Sequence, residues 1–284
     1  MKQITSKEKL QQNKSLTDNR LSVALKDLIH PVLNILTKIV VPCNTIIKKP
    51  CNIIDDKPVI YVINHSSFKD TPIICREIYK RGYILAGKQN LGFSDWLFFI
   101  LNGVIWVDRK DKEDMSASKK AMVEYLKINQ HIIMFPESTW NLTDNLMMLP
   151  MKWGVVDIAR EADAQIIPVV LEYENNNKKC FIDFGEPIIF DSNSRKSAAI
   201  SMLRDTMSTM RWEFWEEKGI ASRRDMDVAE EYIKLHYSVQ EFNPNDWEYE
   251  LSCIFRPYTD CKEAFDHLDL LVPCQKNAFL FKKN

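Results

Sequence analysis

Lys57–Lys80 reads KPVIYVINHSSFKDTPIICREIYK. Its opening, up to Ile63, is an apolar run of the kind that forms a strand buried on both faces. Its close predicts a helix over 71–80, with Pro72 in the first turn, where a missing N–H costs nothing. Between them lies NHSSFKD, Asn64–Asp70, a loop from a strand end to a helix start. The spacing of His65 and Asp70 would turn them to different faces of a helix or a strand, so only a bend lets them meet. A neutral His oriented by a carboxylate is equipped to take a proton from a hydroxyl near pH 7. The plainer reading makes Asp70 or Thr71 the helix N-cap and His65 a polar loop residue. The two readings are compatible, because Asp70 can accept backbone N–H bonds with one oxygen and hold His65 with the other.

Outward from this unit the chain alternates. Strands are predicted over 58–63, 83–87, 104–107, 131–135, 165–173 and 180–184. Helices are predicted over 71–80, 94–102, 114–128, 151–162 and 194–218. Such alternation implies an α/β domain with a largely parallel central sheet flanked by helices. Ligands of such sheets gather beyond the carboxyl ends of the strands. His65 stands there, as do Asp108 and Arg109 after one strand and Glu137 after another. His131, before its strand, reads as an ordinary polar residue.

Three parts follow: an N-terminal helical, membrane-associating segment (1–50), the α/β domain (51–218) and a C-terminal helical appendage (219–284). The first twenty residues are polar, with no apolar signal-peptide core. From Leu21, apolar residues recur at steps of four and three through Leu25, Leu28, Val32, Ile35 and Ile39, with Asp27, Asn34 and Lys38 on the other side. This is an amphipathic helix, bent or restarted at Pro31. It either lies in a membrane interface or packs on the domain behind it. WLFFILNGVIW, Trp96–Trp106, is more apolar than one amphipathic helix needs. It reads as a buried helix leading into a buried strand, or as an acyl-chain groove or membrane-facing surface. Ile200, Leu203, Met207, Met210 and Phe214 fall at helical spacing and read as core, and Gly219 suits a helix stop.

Composition removes several classes. The formal net charge is −1, and no basic run with interleaved aromatics appears, so nucleic acid is not an expected partner. The 7 glycines form no phosphate-binding loop, against a Walker-type or Rossmann-type site. The 7 cysteines are spread without a C-x-x-C, which argues against a disulfide frame or zinc site and for a reducing compartment. No metal is expected. No run of eighteen apolar residues predicts a simple membrane span.

Four blocks stand in order: NHSSFKD at Asn64, GVIWVDR at Gly103, FPESTW at Phe135 and IIPVV at Ile166. The series resembles the 1-acylglycerol-3-phosphate (lysophosphatidic acid) acyltransferase family over about residues 55 to 190. Lys88 after the second strand, and Lys152-Trp153-Gly154 opening a helix, agree with it. The resemblance implies transfer of a fatty acyl group from a thioester, on CoA or acyl carrier protein, to a hydroxyl of a lysophospholipid or related acceptor. It makes His65 the general base and Asp70 the residue fixing its tautomer, with no acyl-enzyme and no cofactor. Backbone N–H groups at the start of the following helix are candidates for the oxyanion. Arg109 would hold a phosphate through two hydrogen bonds, with Lys88 and Lys152 adding charge. Glu137 would touch the acceptor's hydroxyls or brace its loop. Membrane lipids are the expected partner, at the cytoplasmic face, with the protein peripheral.

The third block departs from the family. Where the family has Gly and Arg, this chain has Ser138 and Trp140, flanking Thr139. Losing Gly restricts the backbone wherever a positive φ is needed. Losing Arg removes a phosphate clamp and supplies an apolar ring with one N–H donor. The acceptor is therefore open: lysophosphatidate, a different lipid, an amino-lipid, or a sugar alcohol stacked on Trp140. Two other functions fit the same scaffold: a non-catalytic lipid-binding protein, and a thioesterase with water as acceptor.

Overall fold

The computed structural model describes residues 20–54, 57–78, 80–88, 92–138, 141, 147–174 and 178–217. The appendage expected at 219–284 lies outside them, as do Thr139, Trp140 and Gly219. The order of elements is α1 (Arg20–Val40), β1 (Asn44–Lys49), β2 (Val59–Ile63), α2 (Asp70–Glu77), β3 (Gly82–Gly87), α3 (Phe93–Asn102), β4 (Val104–Val107), α4 (Lys112–Lys127), β5 (His131–Met134), α5 (Gly154–Glu161), β6 (Gln165–Glu174), β7 (Lys179–Phe184) and α6 (Lys196–Glu217).

These strands form one seven-stranded sheet in the order β1-β7-β6-β2-β5-β3-β4. From β6 to β4 every pairing is parallel, as the strand–helix alternation predicts, and β7 runs antiparallel to β6. β1 pairs parallel with β7, which brings the sheet into the stretch assigned above to the helical segment 1–50. The apolar pattern missed it because an edge strand buries little: NTIIKK leaves Ile46 and Ile47 exposed. Lys48 and Lys49 reach Glu217 and Glu213 at the end of α6.

Alternation along β2 sorts the core into two layers. Ile60 and Val62 face the helices α4, α5 and α6. Val59, Tyr61 and Ile63 face α2, joined by Phe98 and Phe99 of α3. Pro168 sits inside β6, where a proline would normally break a ladder. It is tolerated because β6 loses its regular β7 partner there, while Val62 of β2 stays opposite it. Ile166 exchanges bonds with Ile188, Pro168 accepts the N–H of Gly185 at 2.8 Å, and the chain between swings past the missing donor.

α1 is one helix through Pro31, without a restart. It lies on α2 and α3. The side turned inward is mixed: Asp27 meets Arg81 at 2.7 Å, His30 and Thr37 are buried, and Val23, Ile29 and Leu33 are half-buried. The apolar stripe faces out, with Leu28 75%, Ile35 63%, Ile39 69% and Val40 76% exposed. Packing on the domain and presenting an apolar face are therefore both true of this helix. Among the described residues no helix is long and apolar enough to cross a membrane.

WLFFILNGVIW divides at Gly103. The strand half is buried as expected, but in α3 only Asn102 is, and Phe93 is 68% exposed. α3 overlies the end of the sheet beside α1, and among the described residues no element covers its outer side. Gly103 makes the turn from α3 into β4 at φ 95°, and a Cβ there would come within 2.8 Å of the Arg81 guanidinium and 2.9 Å of the Tyr83 ring. Gly103→Ala combines a strained φ with a clash against a buried Arg. It is expected to cost at least about 2 kcal/mol. Urea unfolding should show a lower midpoint at an unchanged slope; an unaltered midpoint would show that this turn tolerates a side chain.

Candidate active site

β2 ends at Ile63, and Asn64 takes over the role of the next ladder rung. Its side chain donates to the Leu171 carbonyl (3.0 Å) and accepts the Leu171 N–H (2.7 Å), tying the loop to β6. The chain then bends sharply. Asp70, fully buried at the first position of α2, reaches back along it. Its Oδ2 accepts the N–H groups of Ser66 (2.7 Å) and Ser67 (2.8 Å) and stands 2.9 Å from His65 Nδ1. One oxygen thus does both jobs that were expected of two. The other, Oδ1, accepts the hydroxyl of Tyr173 at 2.5 Å. This bend brings His65 and Asp70 together.

The His65 ring packs against Phe135, centroids 4.4 Å apart, and keeps 19% exposure. With Nδ1 facing the carboxylate, Nε2 is the nitrogen left for proton transfer. Oxyanion donors are expected among the N–H groups at the start of α2, and four N–H groups of the bend leading into it are engaged within the bend. Ser66 and Ser67 donate to Asp70, Lys69 to Ser67 Oγ, and Asp70 to the Ser67 carbonyl.

The third block closes over this loop. Glu137 is buried, and each of its oxygens accepts one backbone N–H: Oε1 from His65 (2.9 Å) and Oε2 from Leu149 (2.7 Å). Of the two roles left open for it, these contacts are those of a brace. Burial pushes its carboxyl up to about 7, against the pull of those two N–H groups and of Arg211. Asn141 N–H donates to the His65 carbonyl at 2.7 Å. Its side chain and Arg211 both donate to the Met147 carbonyl (3.3 and 2.6 Å), and Arg211 also pairs with Glu172 at 3.0 Å. The segments flanking His65 are thus fastened to β6 and α6.

The cations are disposed unequally. Arg109, after β4, donates Nη1 to the Ser138 carbonyl at 2.7 Å, so the second and third blocks meet at the rim. Lys152 N–H donates to the Pro136 carbonyl. Lys88 pairs with Asp114 at 2.7 Å, and Asp114 also accepts the Asp108 N–H, so Lys88 and Asp108 brace the start of α4. His131 stands at the opposite end of its strand from the rim. It is a buried core residue stacked on Tyr61, not a surface polar one, and burial pushes it down to about 4.

Asn141, Glu172, Tyr173 and Arg211 of this constellation lay outside the sequence reading. Tyr173 carried a readable sign: it follows Ile167, Val169 and Leu171 at alternate positions, so its ring shares their face while its hydroxyl needs a partner. Arg211 carried none, since it lies within an apolar helical pattern.

Ser138 adopts φ 65°, the left-handed region in which Gly is unstrained and Ser is not. The position where the family pattern has Gly is therefore one that calls for it. Ser138→Gly should raise stability by about 0.5–1 kcal/mol, the relief of strain less the extra entropy of a Gly chain. A higher unfolding midpoint is the expected reading; an unchanged or lower one would mean the surrounding bonds already compensate.

Residues 44–172 match the family model described as Acyltransferase, beginning at the first residue of β1. The 1-acyl-sn-glycerol-3-phosphate acyltransferase of Saccharomyces cerevisiae is 31% identical over 118 residues, 40% of this chain and 39% of that protein. The 1-acyl-sn-glycerol-3-phosphate acyltransferase alpha of Homo sapiens is 33% identical over 123 residues, 40% of this chain and 41% of that one. The chain thus spans about 40% of the length of these curated relatives. The crystal structure of the 1-acyl-sn-glycerophosphate (LPA) acyltransferase from Thermotoga maritima superposes with a TM-score of 0.55 at 19% identity, covering 69% of this chain and 83% of that one. It shares the fold. The resemblance carried by the four ordered blocks holds.

Proposed function

We propose that the acyltransferase-family domain matched over residues 44–172 moves a fatty acyl group from a thioester, on CoA or acyl carrier protein, to the hydroxyl of a lysophospholipid. The observation that carries this reading is the fully buried Asp70 carboxylate 2.9 Å from His65 Nδ1, at the rim where strand ends deliver the other blocks. Asp70 fixes the tautomer with the proton on Nδ1 and stabilises the imidazolium. Nε2 then takes the acceptor's hydroxyl proton as that oxygen attacks the thioester carbonyl. The tetrahedral intermediate collapses by breaking the C–S bond, and the imidazolium returns its proton to the leaving thiolate. No acyl-enzyme is needed, and no cofactor beyond the donor's own carrier.

Arg109, Lys152 and Lys88 are the cations of this reading for a phosphate head group, Lys88 being paired with Asp114. Relatives 31% and 33% identical over 118 and 123 residues bear the name 1-acyl-sn-glycerol-3-phosphate acyltransferase, which makes lysophosphatidate the first acceptor to test. The test pairs purified full chain with acyl-CoA and lysophosphatidate, following free thiol and new ester together. His65→Ala should lower transfer by roughly 100- to 10,000-fold, the usual worth of a general base. Transfer at the wild-type rate in that variant would overturn the mechanism. Thiol release without ester would indicate a thioesterase, and lipid binding without thiol release from any pair a binding protein.

The same reading makes the protein peripheral to a membrane, at its cytoplasmic face. The support for membrane contact is the outward apolar stripe of α1, with Phe93 of α3 also exposed. A fully buried Ile contributes about 1.5–3 kcal/mol. Ile35→Glu/Ile39→Glu, which alters exposed positions, should therefore weaken binding to phospholipid vesicles at least tenfold in a sedimentation assay while leaving thermal unfolding unchanged. Equal vesicle binding by the double variant would remove α1 as the docking surface.

A further inference from the structure

We propose that Tyr173 is a positioning residue of the His65–Asp70 pair, holding the second oxygen of Asp70 and, through it, the orientation and basicity of His65. The inference rests on the acyl-transfer reading for its purpose and on independent geometry for its substance.

Asp70 is fully buried, so each lone pair it presents must find a donor within the protein. Oδ2 has three: the Ser66 and Ser67 N–H groups and His65 Nδ1. Oδ1 has one among the described residues, the Tyr173 hydroxyl at 2.5 Å, the short end of the range for a hydroxyl on a carboxylate. Burial first, and the Asp70 charge after it, push the Tyr173 hydroxyl well above the ordinary phenol range, so it stays a donor.

The position of that hydroxyl is itself fixed. β6 continues beyond the last β2 partner, Ile63 opposite Val169. Asn64 clamps Leu171 by two bonds, and Tyr173 is the next residue on the same face. One strand therefore anchors both ends of the loop that carries the base: Asn64 before His65 and Asp70 after it.

Two effects follow from the phenol. It prevents the carboxylate from rotating about its Cβ–Cγ bond, so the oxygen facing Nδ1 stays in place. It also draws part of the carboxylate's charge toward Oδ1, which tempers how strongly Asp70 stabilises the imidazolium. Without the hydroxyl the charge on Asp70 is less compensated, and His65 holds its proton to higher pH. A base that keeps its proton is a poorer base at neutral pH.

The test is Tyr173→Phe in the full chain, with the His65 ring followed by NMR through a pH titration. Among the described residues, titratable and charged groups near the pair include Glu137 after β5 with Arg211 of α6, Cys180 on β7 with Glu172 of β6, and Cys43 before β1 with Lys69 ahead of α2. The His65 ring resonances report its own titration apart from theirs. The midpoint should rise by on the order of half a pH unit. In the transfer assay, kcat at pH 7 should fall about tenfold with KM little changed, and part of the loss should return as pH is raised. In an Asp70→Asn background, Tyr173→Phe should shift the His65 midpoint no further. Placing 3-fluorotyrosine at position 173, a stronger donor of the same shape, should move the midpoint the other way, which keeps the test open if the Phe variant folds poorly. Equal midpoints in wild type and Tyr173→Phe, or the same shift with and without the Asp70 carboxylate, would overturn the proposal. The NMR midpoint needs no turnover, so absence of acyl transfer would defeat the functional reading while leaving this measurement to decide on Tyr173.

Discussion

A fully buried carboxylate is the constraint on which this rim depends. Asp70 has no access to water, and stripping an ion of water without replacement is among the most unfavourable events in folding. The chain satisfies it with two backbone N–H groups, a ring nitrogen and a phenol. Each donor imposes geometry elsewhere. The two N–H groups force the bend after β2, the imidazole is fixed by one edge, and the phenol requires β6 to run past β2. A single desolvated charge therefore dictates the shape of the loop, the pose of the base and the length of a neighbouring strand.

Much of this was legible in the residues, and the limits of legibility have physical causes. Buried parallel strands announce themselves as continuous apolar runs, so β2 to β7 and the helices between them stood within a few residues of their positions. β1 did not, because an edge strand carries no such run. The pairing of His65 with Asp70 was readable from the need for a bend, but its division between the two oxygens was not, because Tyr173 lies 103 residues downstream. The positive φ of Ser138 was foreshadowed by the departure from Gly. The bracing role of Glu137 depends on the N–H of Leu149, a contact that no local pattern encodes. In sequence α3 reads either as a buried helix or as an acyl-chain groove or membrane-facing surface, because apolarity says only that a residue avoids water, and the described residues leave most of it uncovered.

α1 inverts the usual arrangement of a surface helix, which turns its apolar stripe to the core. Here the inward contacts include the Asp27–Arg81 pair and the burial of His30 and Thr37, while the Leu and Ile positions look outward. Arg81 also donates to the Asn102 carbonyl and to Gln130, so a buried guanidinium joins α1 to the end of α3 and the start of β5. A directional ion pair, Asp27–Arg81, ties the helix to the domain beside half-buried Val23, Ile29 and Leu33, while its most apolar edge stays outward. That leaves the stripe available for an apolar phase without unseating the helix from the domain.

The brace formed by Glu137 also has a proton inventory. Its carboxyl holds its proton up to about 7 in the folded protein and releases it near 4.5 when the chain is open. Between those values the folded form carries a proton that the unfolded form has lost, so folding takes one up. The contribution of this group to stability is whole below 4.5 and is lost as pH rises through about 7. Joining the two loops of the site through a buried acid thus makes the rim a proton sink in the range where cells hold their pH. The chain keeps that joint at some expense to its own stability on the alkaline side.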